Sequence, residues 1–98
     1  MRTVEYNRSK LESLCQAYHV LRLSLYGSVL RGEDTPSSDM DLLVEFDPDF
    51  GVGFFELARL ERSLSELFGR KVDLNTPGFL NKAFRFQVQQ HAQPLYAR

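Results

Sequence analysis

Cysteine is nearly absent. Cys15 is the single one in 98 residues, so no internal disulfide can form, and a reducing cytoplasm is the expected setting. Long apolar runs are missing too: none approaches the ~20 residues of a membrane span. The opening Met1-Arg2-Thr3-Val4-Glu5 has no signal-peptide core. Charge of either sign is not in excess. Twelve Lys and Arg against thirteen Asp and Glu leave a net charge of −1, which offers no global field to a polyanion and disfavours direct nucleic-acid binding. His and Cys form no cluster at ligand spacing, so a zinc-type centre is excluded. There is no repeat, low-complexity tract or linker. With 43% hydrophobic and 26% charged residues, the expectation is one soluble domain over residues 1–98 with a small core.

The hydrophobic period places the elements. Ser9-Lys10-Leu11-Glu12 has the form of a capping box, and Leu11, Leu14, Cys15 and Tyr18 follow at helical spacing, predicting a helix over 7–19. The period then falls to two. Leu21, Leu23 and Leu25 alternate with Arg22, Ser24 and Tyr26, as in a half-buried strand. Gly27-Ser28 turns the chain into a short helix reaching Gly32, and 33–38 reads as a polar loop. In the second strand Met40, Leu42, Val44 and Phe46 share one face; Asp39, Asp41, Leu43 and Glu45 share the other. Leu57, Leu60, Leu64, Leu67 and Phe68 mark a helix over 53–68 stopped by Gly69. Residues 71–75 form a third strand, with Val72 and Leu74 opposite Asp73. Thr76-Pro77-Gly78 breaks it, and a last helix covers 79–91. The order α-β-α-β-α-β-α implies an α/β (α+β) fold, a small mixed sheet with helices packed against it.

The chemistry concentrates in two places. If the second and third strands are neighbours, Asp39, Asp41 and Asp73 converge on one side of the sheet. Hard carboxylate oxygens in that arrangement select Mg²⁺ or Mn²⁺. A bound cation offsets their mutual repulsion. Upstream, Gly27 lets backbone approach a phosphate closely. The Ser28 hydroxyl adds a hydrogen bond, and Arg31 stands near enough in sequence to add positive charge, with an ordinary salt bridge as its equal alternative.

The pattern Gly27-Ser28, Arg31-Gly32, Ser38-Asp39-Met40-Asp41-Leu42-Leu43-Val44 and Val72-Asp73-Leu74 resembles the minimal nucleotidyltransferases of the DNA polymerase β-like superfamily. Within it the likeness is to the MntA-type antitoxins encoded beside HEPN-domain toxins, and it extends to Gln93-Pro94-Leu95-Tyr96. That resemblance implies that Asp39 and Asp41 hold the nucleotide-bound metals, that Asp73 completes the metal site or helps deprotonate the acceptor, and that Gly27 and Ser28 hold the triphosphate. It further implies transfer of AMP from ATP to a tyrosine of a cognate HEPN toxin. The competing expectations are the same chemistry on a small-molecule or RNA hydroxyl, and an antitoxin that works by binding alone. A homo-oligomer stays open.

Other candidates have plainer readings. Asp47-Pro48-Asp49 repeats the Asp-x-Asp spacing but sits in a proline turn with no phosphate loop upstream. Glu45 reads as solvated. His19 and His91 fall at helix ends and are assigned no catalysis. Cys15 belongs to a core stripe. Phe79, Phe84 and Phe86 read as packing, with a partner interface as the alternative.

Overall fold

A computed structural model of the chain describes residues 6–33, 35, 38–79 and 82–98. The elements run α1 (Arg8–Ala17), β1 (Val20–Tyr26), α2 (Gly27–Arg31), β2 (Met40–Phe46), α3 (Phe54–Phe68) and β3 (Val72–Asn75). A 3₁₀ turn (Pro77–Phe79), α4 (Lys82–His91) and β4 (Gln93–Ala97) follow. The sheet order is β3-β2-β1-β4. β1 pairs antiparallel with both β2 and β4, whereas β2 and β3 are parallel. A parallel pair needs a long crossover, which α3 supplies.

One sheet face carries the core. Leu23, Leu25, Met40, Leu42, Val44, Val72 and Leu74 meet Leu11 and Cys15 of α1 and Leu60 and Leu64 of α3. Burial pushes the Cys15 thiol up to about 12, so it behaves as packing, as the sequence implied. On the opposite face a smaller cluster joins Tyr26 and Leu43 to Val88 of α4. The sheet is thus covered on both sides around β1, and Ser24 and Tyr26 are buried where simple alternation makes them outward and solvated.

Several expectations need correction. The cap of α1 is Asn7, whose side chain accepts from Lys10 N at 3.0 Å; Ser9 lies inside the first turn. A bulge between Val20 and Arg22 shifts the register, so Val20 is buried and Leu21 is exposed. Of the helix expected over 79–91, Lys82–His91 forms α4 and Phe79 ends the 3₁₀ turn, and β4 is an added strand. Pro36 and Ser37 of the polar loop, and Leu80 of the last helix, lie outside the described residues, as does the side chain of Phe79.

β3 is an edge strand, and α3 secures it. Ser65 Oγ accepts from Val72 N at 2.9 Å, and Glu61 Oε2 accepts from Leu74 N at 2.9 Å. Two side chains of the helix therefore replace the ladder partner that an edge amide lacks. They bracket Asp73. Glu61→Ala is expected to lower unfolding stability by about 1–2 kcal/mol in urea denaturation, since it leaves an amide and a charge-assisted bond unmade. An unchanged midpoint would show that water replaces the carboxylate at no cost.

Candidate active site

The strand register sets the site. Tyr26 of β1 stands opposite Asp41 of β2, and Asp41 stands opposite Asp73 of β3. The three form a row across the sheet, on the face away from the main core. The next row on that face pairs Ser24 with Leu43 and Leu43 with Asn75. Asn75 Nδ2 donates to the Tyr26 hydroxyl at 3.1 Å, tying the two rows together.

Where β1 ends, Gly27 takes φ +80 and turns the chain into α2. A Cβ at this position would overlap Asp41 Oδ2 and lie 3.1 Å from Asp41 Cγ. The missing side chain is therefore what lets the Asp41 carboxylate rest against the turn, and the backbone sign is one that glycine adopts without strain. Gly27, Ser28, Leu30, Arg31, Asp41 and Asp73 line one part of a cleft of about 670 Å³.

The electrostatics are only partly compensated. Burial raises the Asp41 carboxyl above its ordinary value, Asp73 and Asp39 raise it further, and Arg31 lowers it. Burial likewise raises the Tyr26 phenol; the Asn75 hydrogen bond works against that, while Asp41 and Asp73 add to it. Opposite charge would relieve this repulsion, and an all-carboxylate donor set fits a hard divalent cation. Asp41 and Asp73, with Asp39 beside them, are the residues that would hold one.

Five of the six site residues read from sequence meet at the cleft: Gly27, Ser28, Arg31, Asp41 and Asp73. Asp39 shares their sheet face but is engaged by Lys71, Nζ to Oδ2 at 3.8 Å, an exposed pair that costs little to part. Among the described residues no three acidic, His or Cys side chains stand close enough together to hold an ion as they lie. Arg31 lines the cleft and makes the salt bridge weighed for it, its Nε donating to Glu33 Oε2 at 2.9 Å. Asp47-x-Asp49 is a local turn, with Asp49 N donating to Asp47 Oδ1 at 2.9 Å and Arg98 holding Asp47. Glu45 pairs with Arg22 at 3.5 Å.

The far wall was not legible. Phe84, Gln87, Val88 and His91 of α4 complete the cleft. Their i, i+3, i+4, i+7 spacing was visible, but the helix face that meets the acids depends on the packing of Val88. Phe84 and Phe86 are 44% and 62% exposed, which departs from a pure packing role.

The model of the nucleotidyltransferase domain family matches residues 8–95. The chain belongs to that family. As a nucleotidyltransferase it is 40% identical over 72 residues to a Methanocaldococcus jannaschii protein provisionally named a protein adenylyltransferase, covering 74% of this chain and 72% of that one. A second such protein from the same organism is 31% identical over 85 residues, covering 87% and 89%. Among solved structures, a minimal nucleotidyltransferase superposes with a TM-score of 0.76 at 38% identity, covering 89% of this chain and 87% of that one. The fold also matches the MNT antitoxin complex with a tri-AMPylated HEPN toxin of Shewanella oneidensis, at TM-score 0.64 and 17% identity over 93% and 70% of the two chains. The fold is that of the polymerase β-like nucleotidyltransferases. No helix among the described residues is long and apolar enough to cross a membrane.

Two outcomes follow for this nucleotidyltransferase. Gly27→Ala forces a side chain into left-handed backbone and onto the Asp41 carboxylate; it should cost about 1–2 kcal/mol in urea unfolding. An unstrained Gly27→Ala protein with wild-type stability would refute the close approach. For Asp41, a carboxyl raised in the folded state binds its proton more tightly there than when unfolded, so stability declines as pH rises out of the ordinary carboxylate range. Asp41→Asn should therefore raise the melting temperature of the metal-free protein near neutral pH and flatten its dependence through weakly acidic pH. A lower melting temperature at neutral pH would mean that the charge is already compensated.

Proposed function

We propose that this nucleotidyltransferase is a metal-dependent adenylyltransferase that acts as an antitoxin, moving AMP from ATP to a tyrosine hydroxyl of a cognate HEPN-domain toxin. The observation that carries the reading is the contact of the Gly27 turn with Asp41, itself in register with Asp73. A glycine turn and a carboxylate pair meet there, in one cleft. The names of the sequence relatives support the adenylyl group, and the toxin–antitoxin structures that share the fold support the partner.

Asp39, Asp41 and Asp73 would hold Mg²⁺, with Mn²⁺ as a substitute. Such an ion supplies charge neutralisation at the polyphosphate and at the oxygens between which the phosphoryl group passes. The remaining work falls to the chain. Gly27 would let the triphosphate approach the turn beside the Asp41 carboxylate that fills the space of its missing side chain, the Ser28 hydroxyl would donate to a phosphate oxygen, and Arg31 would add a positive charge at the rim. The acceptor oxygen forms a bond to the α-phosphorus as the bond to the β-phosphate oxygen breaks, and pyrophosphate leaves. Asp73, in its alternative role, would help take the hydroxyl proton. Holding acceptor and nucleotide in line accounts for most of the acceleration in such transfers.

Antitoxin action by binding alone has one observation in its favour, the exposed Phe84 and Phe86 of α4. The two readings separate in one experiment. The protein is incubated with ATP, Mg²⁺ and a candidate HEPN-domain partner, and that partner is weighed by mass spectrometry. The expected result is one or more AMP increments with wild type, and at least a hundred-fold slower gain with Asp41→Asn despite an intact complex. A complex that forms but never gains AMP, or an Asp41→Asn protein that neutralises fully, would contradict catalysis.

A further inference from the structure

The cleft has two chemically distinct walls. Gly27, Ser28, Arg31 and the carboxylates suit an anionic polyphosphate with its cation. The α4 wall brings Phe84, Gln87, Val88 and, at the C-terminal end of the helix, His91 to the cleft, with no acid among them. Val88 is buried against Tyr26 and Leu43 and fixes the helix on the sheet. One turn away, Phe84 meets the Tyr26 ring edge-on, centroids 6.4 Å apart at 73°, and keeps 44% of its surface exposed. Gln87 is exposed on the same helix face. At about 670 Å³ the cleft is within the usual range for a complete small ligand.

Resting on the nucleotide-site reading, we infer that the α4 face is the base-recognition wall: Phe84 is the stacking surface for the nucleobase and Gln87 reads its edge, favouring adenine. An exposed aromatic face stacks on any base. Selectivity comes from the amide. A glutamine presents a donor and an acceptor side by side, which matches the N7 acceptor and N6 amine of adenine; guanine offers two acceptors at the same edge. The polyphosphate wall is blind to this difference, so polyphosphate binding and choice of base are assigned to opposite sides of the cleft.

Calorimetry of the full chain with Mg²⁺ and ATP, GTP or inorganic tripolyphosphate tests this. Wild type is expected to bind ATP about ten-fold or more tightly than GTP. Phe84→Leu keeps apolar volume on Tyr26 but removes the ring; it should weaken ATP and GTP alike by about ten-fold and leave tripolyphosphate unchanged, with Phe84→Tyr restoring both nucleotides. Gln87→Ala should close the gap between ATP and GTP. Wild-type nucleotide affinities in both Phe84→Leu and Gln87→Ala, with tripolyphosphate still competing with ATP, would overturn the base wall while leaving the nucleotide site standing. If those variants lose only the transfer of AMP to a protein acceptor, α4 belongs to the acceptor and the inference fails. A wild type that binds neither ATP nor tripolyphosphate would overturn the site reading together with it.

Discussion

The row Tyr26–Asp41–Asp73 is the constraint on which the rest of the site depends. Cross-strand register places these side chains on one face, and a slip of one residue in β2 would send Asp41 into the core and Leu42 out of it. The core prevents that slip. Leu42 and Met40 are fully buried between the helices, so the same pattern that drives folding fixes the direction of the carboxylates. Gly27 completes the arrangement because it follows Tyr26 directly and has no side chain to displace Asp41. The Gly27 turn and the acids are thus brought together by the strand ladder.

Such a site works against the stability of the fold that holds it. Asp41 is partly desolvated and faces two like charges, and the turn uses left-handed backbone. The scaffold offsets this locally. Ser65 and Glu61 hold the edge strand that carries Asp73, and Asn75 holds the Tyr26 hydroxyl beneath the cleft. Arg70 reaches back from the end of α3 to the carbonyls of Thr35 and Ser38, at 3.1 and 2.7 Å, and steadies the segment leading to Asp39. These contacts keep Asp41 and Asp73 in register on one face, while Asp39 is drawn to Lys71, and among the described residues no three acidic side chains lie close enough together to hold an ion.

Much of this was legible in the residues because period-two alternation reports a face directly. Met40, Leu42 and Val44 against Asp39 and Asp41 specify one side of β2, and Val72 and Leu74 against Asp73 do so for β3. The turn chemistry of Gly27 was equally visible, as was the decoy character of Asp47-Pro48-Asp49. Hidden features had a common cause in tertiary pairing. β4 is a short edge strand containing Pro94, with little pattern of its own, and it forms against β1. The Val20/Arg22 bulge, which exposes Leu21, exists only in the paired strand. Lys71 beside Asp39 and α4 across from Asp41 required the strands and helices to be placed in space.

The location of the bound cation tests the central claim most directly. Mn²⁺ with ATP broadens the nuclear resonances of the residues nearest to it, and a titration followed through backbone amides reads their order. Broadening first at Gly27, Ser28, Asp41 and Asp73, abolished by Asp41→Asn, is the predicted result. Broadening centred on the Asp47–Asp49 turn, or an Asp41→Asn protein broadened as wild type is, would contradict a metal–nucleotide site built on the Tyr26–Asp41–Asp73 row.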